Sequence, residues 1–425
     1  MLVKFYGFLG RQGFVTKVAD NYFMKQFAKA HLTALWSVPG IGYQSFQRCL
    51  LIQKKTRISD EGFWSNQDQI WQKSMLSKKQ VESIIKFKKE HNFTDYYYSL
   101  KKKQIRVMVD RERHYPSLLK NIAQPPPVLF YKARAKITAD YWQNLFLAVV
   151  GTRRVTAYGR FVLKSLVRDV LIASQAKLVS GFMYGVDVEA MKIAQQVSQS
   201  IGVLGYGFDY CYPRHQQALM QQMLEEGAIF FSEYPPFIQP SAGSFVQRNR
   251  IIAGLARAVL VVEAAKNSGS LITAQFAVDE GRTVLAVPGP ITNPYSLACH
   301  QLIREGANLL ASVEDFYTAL NLSNQEQHIS DQEQHLSNQE QPPRTRTDAN
   351  SQSSVKKSQF LANQALLSDQ ETTIINILQN QGVALSFDQL SANSQFDHGQ
   401  LAECLLKLQI KQIIQQEGQN YVLKT

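Results

Sequence analysis

The sequence predicts a doubly wound parallel α/β sheet, with a small helical region before it and a winged helix after it. Three observations lead there. From residue 145 onward, short apolar runs alternate regularly with helical stretches. Those runs are apolar at successive positions, as strands covered on both faces must be. Beyond a polar gap, residues 368–425 carry the pattern of three helices and a hairpin.

The chain has 425 residues and is 45% hydrophobic, enough for more than one core. Four stretches are expected: 1–105, 106–320, 321–367 and 368–425. Residues 31–100 read as short helices. Within them, Pro39-Gly40-Ile41-Gly42 separates two apolar helical stretches, the pattern of a helix-hairpin-helix (or SAM-like) domain. Such glycines let backbone N–H groups approach a phosphate, and an ordinary tight turn explains the pattern equally well. The net charge of +12 is uneven. Residues 1–140 hold 25 Lys and Arg against 10 Asp and Glu, an excess of +15. A one-sided excess suits a polyanion partner, although a charge run is also what a solvated helix face looks like.

The strands are then expected at "LFLAVV", "KLVS", "IGVLG", "AIFFSE", "AVLVVEA" and "TVLAVPG", with helices through 159–174, 187–198, about 214–226, from about 246 and from about 270. This is an extended Rossmann-like sheet, whose ligands bind at the carboxyl ends of the strands. Residues 321–367, with a near-threefold LSNQEQH unit at 322–341, read as a disordered linker. The final winged helix has no arginine and a net charge of −3, from 3 Lys against 6 Asp and Glu. Asp397, His398, Gln400 and Glu403 stand at the start of its third helix, which favours a protein contact over DNA reading.

Several classes are excluded or disfavoured. The longest apolar runs fall far short of the roughly 18 to 20 residues of a membrane span, and the N-terminus has no signal-type core. Cys49, Cys211, Cys299 and Cys404 are dispersed, as in reduced cytoplasmic thiols, with no metal-ligand spacing. No dinucleotide fingerprint or Walker motif calls for a cofactor, and no nucleophile–base set gathers at the strand ends. Glu233 and Glu263 leave two readings open, an acid/base pair or two loop anchors.

The residues following the strands are rich in Gly, Ser and Arg. They comprise Gly151, Thr152 and Arg153; Ser180, Gly181 and Tyr184; Phe245, Arg248, Asn249 and Arg250; and Ser268, Gly269 and Ser270. Glycines and helix N-termini admit phosphate oxygens, arginines grip them, and aromatics offer faces for unstacked bases. The set suits single-stranded nucleic acid, with no catalytic residue and no metal. The two arginines of Arg248-Asn249-Arg250 precede an apolar run, and their partner is expected to be an external polyanion. If these residues are already helical they lie roughly 200° apart and only one faces the crevice, so either the helix begins late or the other arginine ties neighbouring loops or subunits together. Arg248 is the one expected there.

"GTRRVTAYG", "LVSGFMYGVD", "GYGFDYCYPRH", "SEYPPFIQPSAGSFVQRNRIIAGLA" and "VVEAAKNSGSLITAQFAVDEGRTVLAVPGP" together resemble the DprA/Smf family of DNA-processing proteins of bacterial transformation. The likeness spans about 110–312, in order. It implies a cytoplasmic homodimer without catalytic turnover that protects incoming single-stranded DNA and helps load the RecA recombinase. It also implies Arg153 as a phosphate contact, Phe245 as a stacking residue, and Arg248, Asn249 and Arg250 as pocket wall. Val246 replaces a frequent proline, and Tyr184 takes a position that is basic in some members. The rival readings are a phosphoribohydrolase-type enzyme, whose PGGxGTxxE motif is missing, and a winged-helix regulator.

Overall fold

The computed structural model describes residues 15–65, 76–266, 268–322, 369–381, 385–394, 396–410, 413–417 and 420–423. The heptapeptide units and nearly all of the expected linker lie outside the described residues, as do residues 1–14. The chain forms two compact units, Met1–Ile329 and Ser330–Thr425.

Among the described residues, the first unit opens with the helices α1 (Val15–Trp36), α2 (Tyr43–Thr56), α3 (Asp60–Ser65), α4 (Lys78–Glu90) and α5 (Phe93–Lys102). The Pro39–Gly42 turn joins α1 to α2, and Gly40 takes φ +83°, open to a residue without Cβ. Val38 and Ile41 are buried beneath it. Gln80 of α4 donates to the Gly40 carbonyl at 3.1 Å, so the turn is also tied into the helices. A nine-stranded sheet follows, in the order β1-β2-β6-β5-β4-β3-β7-β8-β9. Its strands are β1 (Arg106–Val109), β2 (Val128–Lys132), β3 (Phe146–Val150), β4 (Lys177–Ser180), β5 (Ser200–Leu204), β6 (Ile229–Ser232), β7 (Ala258–Val261), β8 (Thr283–Ala286) and β9 (Asn308–Leu309). All pairings from β6 to β9 are parallel; β1 with β2 and β2 with β6 are antiparallel.

Strand β3 shows why the apolar runs are continuous. Leu147 and Val149 belong to the core on one face of the sheet, while Phe146, Ala148 and Val150 belong to the core on the other. Alternation of side chains along a strand therefore buries every position. Truncating Leu147 to alanine costs about 2–5 kcal/mol by the general cost of such cavities.

The antiparallel strands β1 and β2 were not expected as strands. They are short and follow charged or proline-rich stretches, and an antiparallel pair gives no helix-alternation cue. Their consequence is large. Val107, Val109, Val128 and Phe130 share one hydrophobic cluster with Leu35, Phe46, Ile84 and Tyr97 of the helices. The boundary expected at residue 105 thus runs through a continuous core. Trp36 Nε1 also donates to the Glu233 carbonyl at 2.6 Å.

Among its described residues, the second unit holds three helices, Asp369–Gln381, Phe387–Asn393 and His398–Ile410, and a three-stranded antiparallel sheet, the winged-helix arrangement. Ile374, Leu378, Leu390, Leu401, Leu405 and Ile414 form its core. Asp397 Oδ1 accepts from the Gln400 N–H at 2.8 Å, so these two residues cap the third helix. Among the described residues, no helix is long and apolar enough to cross a membrane.

Candidate nucleic-acid interface

Strand order reverses at β3. Successive strands run outward from it to β4, β5 and β6, and the chain then returns to place β7 on its other side. A crevice opens where the loops part, the usual ligand position of a doubly wound sheet. Here it is a cavity of about 810 Å³. Its walls come from Val150–Arg154 after β3, Met183, Tyr184 and Asp187 after β4, Tyr212 after β5, the helix that follows β6, and Ala265 and Ser268–Ser270 after β7.

The Gly151–Arg154 turn is held from below. Thr152 N–H donates to the Glu263 carbonyl at 2.6 Å, and Val186 N–H donates to the Thr152 carbonyl at 3.1 Å. The Glu263 carboxylate accepts from Thr156 N–H at 2.9 Å, Thr156 Oγ1 at 2.6 Å and Asn293 Nδ2 at 3.0 Å. Glu263 is therefore a loop anchor. The guanidinium groups of Arg153 and Arg154 are exposed, line the cavity, and have no hydrogen bond or ion pair among the described residues. Gly185 meets this turn with φ +74°, and a Cβ there would stand 2.3 Å from the Thr152 carbonyl oxygen. Only glycine fits.

After a short α6 (Ser117–Lys120), the sheet helices are α7 (Ala157–Val162), α8 (Arg168–Ser174), α9 (Val186–Val197) and α10 (Gln217–Glu225), and the helix after β6, α11 (Ala242–Leu255), begins earlier than the expected residue 246. Ser241 caps it: its side chain accepts from Ser244 N–H at 3.2 Å, and Ser244 Oγ accepts from Ser241 N–H at 3.0 Å. Residues 248–250 are consequently helical, and the two arginines diverge. Arg248 lines the cavity but is only 3% exposed. It donates to the carbonyl oxygens of Gly181, at 2.7 Å, and Val203, and its Cζ lies 5.9 Å from the Phe245 ring centre. Arg250 points the other way and pairs with buried Glu233. The expectation that these arginines await an external polyanion is corrected on this point: both have partners inside the chain, because burial without a partner is too costly.

Two other expected contacts are corrected. Ser180 is fully buried, and its hydroxyl donates to the Val149 carbonyl at 2.7 Å. Gly181 lies beneath Arg248, and a Cβ there would meet Asp187 Oδ2 at 2.5 Å and Arg248 Nη2 at 2.7 Å. Both residues build the floor without lining the cavity, and Arg250 stands behind the wall. Gly151, Thr152, Arg153, Tyr184, Phe245, Arg248, Asn249, Ser268, Gly269 and Ser270 are brought together. Asn249 Nδ2 donates to the Gly269 carbonyl at 3.3 Å, joining α11 to the next helix, α12 (Gly269–Asp279). Ser268 caps that helix by accepting from Ser270 N–H at 3.3 Å.

Aromatic surface completes the site. Phe245 packs against Tyr212 with ring centres 5.4 Å apart. Tyr184, 40% exposed, stacks on His215 at 5.3 Å and 29°. Asp187 is the unforeseen member. Burial raises its carboxyl to about 6 against the attraction of Arg248 and Arg153. It accepts from Met183 N–H at 3.4 Å. "FMYGVD" contained both Gly185 and Asp187, and neither chemistry is readable without knowing that the loop doubles back under Arg153.

Comparison with known proteins places these features. Residues 106–321 match the family described as DNA recombination-mediator protein A. Protein Smf of Synechocystis sp. is 33% identical over 356 residues, 81% of this chain and 86% of its own length. The DNA processing protein DprA of Bacillus subtilis is 38% identical over 211 residues, 49% of this chain and 69% of its own. The X-ray structure of DprA from Streptococcus pneumoniae superposes with a TM-score of 0.55 at 29% identity, covering 70% of this chain and 97% of that one.

Proposed function

The chain belongs to the DNA recombination-mediator protein A family, and we propose that it binds single-stranded DNA in the strand-end cavity, with Arg153 as the leading phosphate contact. The observation that carries the reading is the pairing of opposite needs in one place. Two exposed arginines, without a hydrogen bond or ion pair among the described residues, stand on a glycine turn of a cavity that also holds the half-buried Phe245 and the exposed Tyr184. Phosphates call for the first and unstacked bases for the second; a duplex, whose bases are stacked away, has no use for the second. Gly151, Thr152, Asn249, Ser268, Gly269 and Ser270 supply backbone and hydroxyl donors around them. Arg248 acts from the wall, orienting Phe245 and adding positive potential.

The finer reading follows the resemblance in sequence. The protein shields incoming single strands, hands them to the RecA recombinase, works as a homodimer in the cytoplasm, and turns over no substrate. Glu263 and Glu233 support the last point, since both carboxylates are committed to anchoring.

The test is fluorescence anisotropy of a labelled oligo-dT at two salt concentrations, competed by single-stranded and duplex DNA. Wild type should prefer the single strand, and Arg153→Ala should weaken binding about tenfold with a shallower salt slope, as loss of a phosphate contact requires. Equal binding of duplex, indifferent to Arg153, would overturn the reading.

A further inference from the structure

We propose that the single strand leaves the cavity across the Tyr184–His215 pair and continues along a second groove, past Arg214 and Lys132, toward the lysines that end α5. This rests on the cavity reading above and adds a direction and a length to it.

The second groove has a volume of about 640 Å³ and is lined by Lys132, Phe208, Tyr210, Arg214, His215 and Gln217, among others. It adjoins the first. Tyr184 lines the cavity and His215 lines the groove, and their stacked rings are the contact between the two. Tyr212 lines the cavity one residue beyond Cys211, which lines the groove. Both members of the stacked pair are exposed, so a base can lie on an outer face.

Charge along the groove is cationic. Arg214 is exposed and has no hydrogen bond or ion pair among the described residues. The Lys132 ammonium lies 5.5 Å from the Phe208 ring centre. The acidic member, Asp209, is held at 2.8 Å through both oxygens by Lys103. That bond neutralises the acid and also fixes at the groove the end of α5, which carries exposed Lys102. The N-terminal excess of positive charge thereby acquires a defined place of contact with the DNA path, at the end of α5.

The experiment compares oligo-dT of about 6 and about 18 nucleotides, within and beyond one compact site, for wild type, Arg153→Ala and Arg214→Ala/Lys132→Ala. In wild type the longer strand should bind at least about tenfold tighter, the worth of one good stacking contact. The double variant, at positions that line the groove and not the cavity, should bind the short strand as wild type does and lose most of the length gain. Its salt slope on the long strand should fall by about 0.7 per lost phosphate contact. A full length gain in the double variant would overturn the second groove. Equal losses at both lengths would overturn it too, by making Arg214 and Lys132 part of the cavity site itself. Indifference of the short strand to Arg153→Ala would instead overturn the cavity reading, and the groove with it.

Discussion

Arg250 and Glu233 form a buried ion pair on the side of α11 away from Arg248. Their satisfaction is incomplete: Arg250 Nε and Nη1 and Glu233 Oε1 have no hydrogen-bond partner among the described residues. Arg250→Ala should therefore destabilise the protein by about 3–5 kcal/mol, because it strands a buried carboxylate. Replacing both, as Arg250→Met/Glu233→Leu, should recover most of that loss. Thermal or urea unfolding reads both effects, and oligo-dT affinity of the folded double variant should stay near wild type. A double variant as unstable as the single one would contradict this account.

Gly185→Ala should cost about 2 kcal/mol or more, the price of a strained backbone position with a steric clash. The added methyl group meets the Thr152 carbonyl and the Arg153 backbone. Displacing that turn moves Arg153, so oligo-dT affinity should fall together with the melting temperature. A normal melting temperature and normal affinity would show that the turn yields freely.

Asp187 predicts a pH dependence. Its folded value of about 6 lies above the usual 3.8, so the folded state holds the proton more tightly than the unfolded one. Its contribution to stability is accordingly lost as pH rises from about 4 to about 6. The stability of Asp187→Asn relative to wild type should rise over that window. Protonation also removes a negative charge beside Arg248 and Arg153. Oligo-dT affinity should thus strengthen as pH falls through about 6 in wild type, more than in Asp187→Asn. Parallel pH curves for the two proteins would sink the assignment.

The parallel sheet was legible because β3 to β8 are buried on both faces and separated by helices of similar length. The cavity was legible because its turn residues follow those strands directly. What escaped the sequence was reach. Nothing near Arg250 announces Glu233, seventeen residues back, and nothing near Ser180 announces the Val149 carbonyl across the sheet. An arginine beside a core looks the same whether its partner is a phosphate outside or a carboxylate inside. Helix start decides between them here, and Ser241 fixes that start through a reciprocal cap with Ser244. The antiparallel strands β1 and β2 escaped for another reason: no helix of the length found between the parallel strands separates them to mark an alternation.

The hydrogen bond from Trp36 to the Glu233 carbonyl, together with the cluster shared by the helices and the sheet edge, has a thermodynamic side. Helices and sheet cannot open independently without exposing common apolar surface, so they form one cooperative unfolding unit. A ligand held at the strand ends stabilises that whole unit by mass action. Its occupancy is then felt in the hydrogen exchange of amides far from any nucleotide, including those of α2 and α4.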